Sequence, residues 1–341
     1  MSGDHGHDHG HEHEHDHPSG LGGVLRSVFA PHSHDHSDSI DDALTASNEG
    51  IRALKISLVV LGITAALQVV IVVISGSVAL LADTIHNFGD ALTAVPLGIA
   101  FVLGRRAPTK RYTYGFGRAE DLAGVFVVLM IAASAVIAGY EAIDRLLDPR
   151  DVHHVPWVVA AGIIGFAGNE LVAMYRIRVG RRIGSAALVA DGLHARTDGL
   201  TSLAVVFGAI GAGLGWQLAD PIVGLVITVA ILAIVRSAAR DIYRRLMDAV
   251  DPELVDEVAH VLEHVEGVEA VEVVRIRWIG HELRAEIDLV ADASMSLVDA
   301  HAVAERAHHE LLHEVPRLSA ATIHVNPSGD GHHDETAHHG R

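Results

Sequence analysis

The sequence predicts a polytopic α-helical membrane protein of six transmembrane helices, followed by a small C-terminal α+β domain of order αββαβ. Three observations carry this. Half of the 341 residues are hydrophobic against 20% charged, and the apolar ones are bunched into runs of about 20 residues, the length that crosses roughly 30 Å of hydrocarbon. Lys and Arg collect at alternate ends of those runs. After Asp251-Pro252 the long runs stop and short amphipathic segments begin.

Residues 1–48 form a polar, His-rich segment opening with MSGDHGHDHGHEHEHDH. It has neither a basic n-region nor an apolar h-region, so no signal peptide is expected and the first helix stays as a span. Its low complexity predicts a disordered cytosolic tail up to an acidic lead-in, DSIDDAL. Alternating His with Gly, Asp and Glu is unlike an engineered tag, and ten histidines by residue 36 could gather metal at an entrance. The transmembrane domain, 49–247, holds apolar runs near 54–74, 77–103, 121–143, 155–175, 185–214 and 219–240. Loops two-to-three (Arg105, Arg106, Lys110, Arg111, Arg118) and four-to-five (Arg176, Arg178, Arg181, Arg182) are basic, as is the end of span six (Arg236, Arg240, Arg244, Arg245). The opposite loops carry only Arg145 and Arg150. The positive-inside rule then places both termini in the cytoplasm.

Residues 248–327 read as the cytosolic domain. ELVDEVAHVLEHVEG is an amphipathic helix, and VEAVEVVRIRWIG with HELRAEIDLVAD makes two strands turning near Gly280 and His281. In the second strand Leu283, Ala285, Ile287 and Leu289 alternate with Arg284, Glu286 and Asp288. SLVDAHAVAERAHHELLHEV gives a second helix and ATIHVNP a third strand, a two-layer arrangement. Residues 328–341 are a second His-rich disordered tail.

The formal charge of -18 sits mostly in the tails and the C-terminal third. An acidic, His-studded chain repels phosphate backbones, which excludes a nucleic-acid partner. The absence of cysteine removes disulfides, thiolate metal sites and cysteine nucleophiles together. Only Lys55 and Lys110 are lysines among 25 basic residues, which suggests a GC-rich, bacterial genome.

Two stretches inside the apolar runs are out of character. LLADTIHNFGDALTAV holds Asp83, His86 and Asp90, and LVADGLHARTDGLTSL holds Asp191, His194 and Asp198 at the same i, i+3, i+7 spacing. At about 100° per residue each trio falls within roughly 60° of one helical face. A charged residue at mid-helix costs roughly 2.5–3.5 kcal/mol, and a buried Lys or Arg at matching depth is not expected in the spans. A divalent cation could compensate. Two imidazole nitrogens and two carboxylate oxygens make a tetrahedral shell that suits Zn2+ at about 2.0–2.2 Å. Such ligands hold either metal or protons. Exporting a doubly charged ion against about 100 mV costs about 4.6 kcal/mol, so metal and protons competing for one shell at two membrane faces is a sufficient basis for antiport.

On HNFGD, HARTD, the YTYGFGRAE loop and the ending TIHVNP, the chain resembles the cation diffusion facilitators over roughly residues 50–327. The resemblance implies a homodimer of six-span protomers, each with a ferredoxin-like cytosolic domain, exporting zinc in exchange for protons across the inner membrane. Cadmium, cobalt or iron are the alternative cargoes. It also implies that His86, Asp90, His194 and Asp198 are the transport-site ligands, and that the His in span two is the zinc-preferring choice. Asp83 and Asp191, one turn away, would support the ligands or relay protons. Tyr112 and Phe116 stand where a further family site needs histidines, so that site is expected to be missing. Arg118 corresponds to a basic residue that interlocks with an acid, here Asp248. Asp288, His301 and His324 fall near the positions of a zinc site in the cytosolic domain, with Asn326 in place of an acid and Glu272 an uncertain match. Glu170 is weighed between helix packing and a proton path. Two rival classes fit less well: the chain lacks the HExxH helix and nucleophile motif of an intramembrane metallohydrolase, and a zinc sensor would leave the intramembrane acids without purpose.

Overall fold

The computed structural model describes residues 34–75, 94–148 and 155–329, with side chains from Leu44 onward. Its helices are α1 (His34–Ser75), α2 (Ala94–Gly104), α3 (Arg118–Leu147), α4 (Val155–Ile183), α5 (Ala186–Gly213) and α6 (Ala219–Leu246). The C-terminal domain follows as α7 (Pro252–Glu263), β1 (Ala270–Ile279), β2 (Glu282–Ala291), α8 (Leu297–Glu314) and β3 (Leu318–Pro327).

Parts of α1, α3, α4 and α6 are long and apolar enough to cross a membrane. Polarity runs inside out. Large apolar side chains such as Leu129 and Val136 of α3 are 62% and 70% exposed, whereas Gln68, Asn169, Asp191 and His194 are buried. Such a surface belongs in lipid, where apolar atoms meet acyl chains and polar groups must find partners inside. The fifth predicted span, α5, is packed among α3, α4 and α6, so its charged residues face protein. Close packing of α1, α4 and α5 depends on Gly165, where a Cβ would stand 2.8 Å from Gln68 Nε2 and 2.9 Å from Ser202 Oγ.

Two boundaries depart from expectation. Helix α1 reaches back to His34, so 34–48 is helical where a disordered tail was expected. Its start is braced by the C-terminal domain, Ser47 Oγ meeting His281 Nε2 at 3.3 Å. Helix α4 runs to Ile183, two turns past the apolar window, because Arg176 is turned inward rather than into a loop.

In the C-terminal domain β1 and β2 are antiparallel, and β3 joins β2 in parallel through the crossover helix α8. Leu283, Ala285, Ile287 and Leu289 pack against Val258, Leu262, Ala307 and Leu311 of the two helices. The alternation turns Asp288 and Glu286 to the opposite face. Asp251 caps α7, its carboxylate accepting from Glu253 N–H, with Pro252 in the first turn where its missing N–H costs nothing.

The β1–β2 turn docks this domain onto the membrane helices. Gly280 takes φ 64°, as the first central residue of a two-residue hairpin of the II′ kind does. A Cβ there would lie 2.9 Å from Gly117 O and 3.1 Å from Glu120 Oε2. Buried His281 bridges Glu120 Oε2 at 2.8 Å and Ser47 Oγ at 3.3 Å. Arg245 stacks on Trp278 at 3.9 Å and donates to Gly280 O and Gly184 O. Gly280→Ala is therefore expected to cost about 1–2 kcal/mol from backbone strain alone. Amide exchange at 279–281 and 117–120 should accelerate together; unchanged exchange would show that the turn does not hold the junction.

Candidate functional site

Helix α5 begins at Ser185, whose hydroxyl accepts from Leu188 N–H. Its polar residues have two kinds of partner.

The first kind is ionic. Arg176 of α4 approaches Asp191 at 2.9 Å, both side chains essentially inaccessible. The contact closes the ion pair without satisfying it: Arg176 Nε and Nη2 and both Asp191 carboxylate oxygens have no hydrogen-bond partner among the described residues. The expectation that the spans hold no cation at matching depth is corrected by this pair. Arg176 reads as a loop residue in sequence because hydropathy is blind to which side of a helix a residue occupies. Arg196 of α5 grips Glu170 of α4 through Nη2 at 2.6 Å and Nε at 3.1 Å, a bidentate fork. Glu170 is thus a helix-pairing residue in this structure. Both acid–base pairs join the same two helices.

The second kind is the pair His194–Asp198. His194 is 1% exposed, and neither ring nitrogen has a hydrogen-bond partner among the described residues. Its Nδ1 lies 3.7 Å from Asp198 Oδ1, one turn on, beyond hydrogen-bond length. Asp198 is buried beside it. Thr197 and Thr201 donate to Leu193 O and Asp198 O, which keeps their hydroxyls on the helix backbone. A buried imidazole with two unpaired nitrogens is costly unless an ion or another donor set completes it, and a carboxylate at this separation leaves room for a shared cation. His86, Asp90 and Asp83 lie outside the described residues. Among the described residues no group of three or more His, Asp or Glu side chains forms a metal cluster.

In the C-terminal domain Asp288 and His324 are register partners on β2 and β3, on the face away from α7 and α8. His301 is exposed on α8, 3.7 Å from Glu305, and is not brought to them. Asn326 Nδ2 donates to Glu272 Oε2 at 2.9 Å, at the bulge that β1 makes between Val271 and Val273. Arg118 Nη2 meets Asp248 Oδ1 at 2.7 Å and ties the start of α3 to the chain leaving α6. The YTYGFGRAE loop lies against the domain, with the guanidinium groups of Arg277 and Arg284 5.4 and 5.6 Å from the centre of the Tyr114 ring. Glu120 and His281 were missed in sequence, where nothing local links residues so far apart.

Apolar helices facing outward, an imidazole with no hydrogen-bond partner among the described residues buried beside a carboxylate, and an appended α+β domain together define a membrane transporter. Residues 54–247 match the family model of the cation efflux transmembrane domain, and residues 250–328 that of the cation efflux protein cytoplasmic domain. The chain belongs to the cation diffusion facilitator family of cation efflux proteins, which are transporters and not enzymes. It is 61% identical over 331 residues to a probable cation efflux system protein of Mycobacterium tuberculosis (strain ATCC 25618 / H37Rv), covering 97% of each chain. More distant are the manganese efflux system protein MneP of Bacillus subtilis (strain 168), 26% identical over 74% of this chain and 88% of that one. Magnetosome protein MamB of Magnetospira sp. (strain QH-2) is 25% identical over 75% and 87%.

Proposed function

We propose that the protein exports Zn2+ from the cytoplasm in exchange for protons, by alternating access at a site formed by His86, Asp90, His194 and Asp198. The observation that carries this reading is the buried His194, with both ring nitrogens unpartnered beside Asp198. The repeated spacing in HNFGD and HARTD supplies the matching imidazole and carboxylate from span two. Two nitrogens and two oxygens suit zinc, whereas manganese is better served by an octahedral set of oxygens. Cadmium, cobalt and iron are competing cargoes that the same test ranks. Because the ligands bind metal only when deprotonated, protons arriving from outside release the cation, and loss of those protons inside prepares the site to reload. Asp83 and Asp191 support the ligands or relay protons, Asp191 through its pairing with Arg176.

In this reading the protein is a homodimer in the bacterial inner membrane with both termini cytoplasmic. The basic loops that dock on the C-terminal domain favour that orientation. One protomer brings only Asp288 and His324 side by side, so a regulatory zinc site involving His301 would need the second protomer. The His-rich tails would concentrate zinc at the entrance.

The test is metal flux into proteoliposomes under an imposed pH gradient, with zinc, manganese, cadmium, cobalt and iron supplied singly and in competition. Zinc is expected to be carried fastest and to drive counter-movement of protons, read by a pH dye inside the vesicles. Zinc flux indifferent to both pH gradient and membrane potential would remove antiport, and preferential manganese flux would remove the zinc assignment.

A further inference from the structure

Where the membrane helices meet the C-terminal domain there is a cavity of about 390 Å3. Its polar end is cationic. Arg181, Arg244, Arg245 and Arg317 reach it from the end of α4, the end of α6 and the start of β3, against Asp241 and Asp251. Asp251 is engaged in capping α7. Arg245 is held by the carbonyls of Gly184 and Gly280, and Arg317 donates to the carbonyls of Arg181 and Arg182. The guanidinium groups of Arg181 and Arg244 have neither an ion pair nor a hydrogen bond among the described residues. Ser185 and Ala186 also line this end, so the positive terminus of the 28-residue α5 opens into it.

The other wall is apolar. Val189, Ala190 and Leu193 of α5 and Ala238 of α6 continue from the cationic end toward the middle of the bundle. A free anion would use only the first half of such a cavity. An amphiphile with a phosphate head uses both, and basic pockets between helices at the cytoplasmic membrane surface are where such heads are bound.

We propose that this cavity binds a phosphate group, that of an anionic phospholipid whose acyl chain lies along the α5–α6 groove. The same lipid would touch the first turns of α5, the helix that carries His194 and Asp198, and the β1 residue Trp278 beside Arg245. It would therefore link bilayer composition to the junction between the two domains.

The experiment is native mass spectrometry of the delipidated full chain in detergent, titrated separately with phosphatidylglycerol, phosphatidylcholine and inorganic phosphate. Phosphatidylglycerol is expected to bind saturably and more tightly than phosphatidylcholine. At about fivefold per basic residue, Arg181→Gln with Arg244→Gln should weaken it by about 30-fold. Ala186→Glu provides the control for folding, since an acid in the first turn favours the helix yet repels a phosphate there; it should weaken binding without lowering thermal stability. Equal affinity of parent and double variant for phosphatidylglycerol would overturn the proposal, as would equal affinity of the parent for the two lipids. Binding of inorganic phosphate that the double substitution abolishes, with no preference between lipids, would assign the cavity to the free anion and overturn the lipid.

Discussion

Asp198→Ala and His194→Ala are each expected to lower zinc flux by at least about 100-fold, with the protein still folded and inserted. Substituting groups that merely orient a metal's ligands commonly costs 10–100-fold, and removing a ligand from a four-coordinate shell should cost no less. Neither side chain is engaged in the ion pairs that join α4 to α5, so the loss should appear in transport and metal affinity, not in thermal stability. Zinc titration calorimetry on each variant separates the two. Flux that survives Asp198→Ala would sink the proposed tetrad.

Arg176→Met is expected to do the opposite, damaging the fold first. It leaves Asp191 buried with no cation in reach, a situation that costs about 3–5 kcal/mol when one partner of a buried pair is removed. Pairing the change with Asp191→Leu should return stability to within about 1 kcal/mol of the parent, since replacing both charges by apolar groups removes the uncompensated one. Denaturant unfolding in detergent reads both variants. If Arg176→Met alone is as stable as the double substitution, the 2.9 Å contact is not what holds Asp191 in the bundle.

The ionic pairing between α4 and α5 also marks the limit of what was legible in the sequence. Apolar runs and period-two alternation located the described spans and the αββαβ domain because both are local signals; the ends of β1 and β2 fell within a residue or two, whereas β3 begins three residues before ATIHVNP. The repeated i, i+3, i+7 spacing picked out His194 and Asp198, which the structure buries side by side, both imidazole nitrogens without a hydrogen-bond partner among the described residues. The roles of Arg176 and Glu170 are not legible in the sequence, for one reason. A hydropathy window averages around the helix, while their role depends on facing α5. His281 and Glu120 meet across 161 residues of chain, a contact fixed by domain docking that no period or motif announces.

The separation of duties along α5 has a consequence for how such a carrier can change. Asp191 and Arg196 fasten the helix to α4, while His194 and Asp198 stand between and beyond them and belong to neither of those two ion pairs. Ligand identity can thus be rewritten one residue at a time on an unaltered chassis, so cargo preference is free to drift between lineages without the bundle having to be rebuilt.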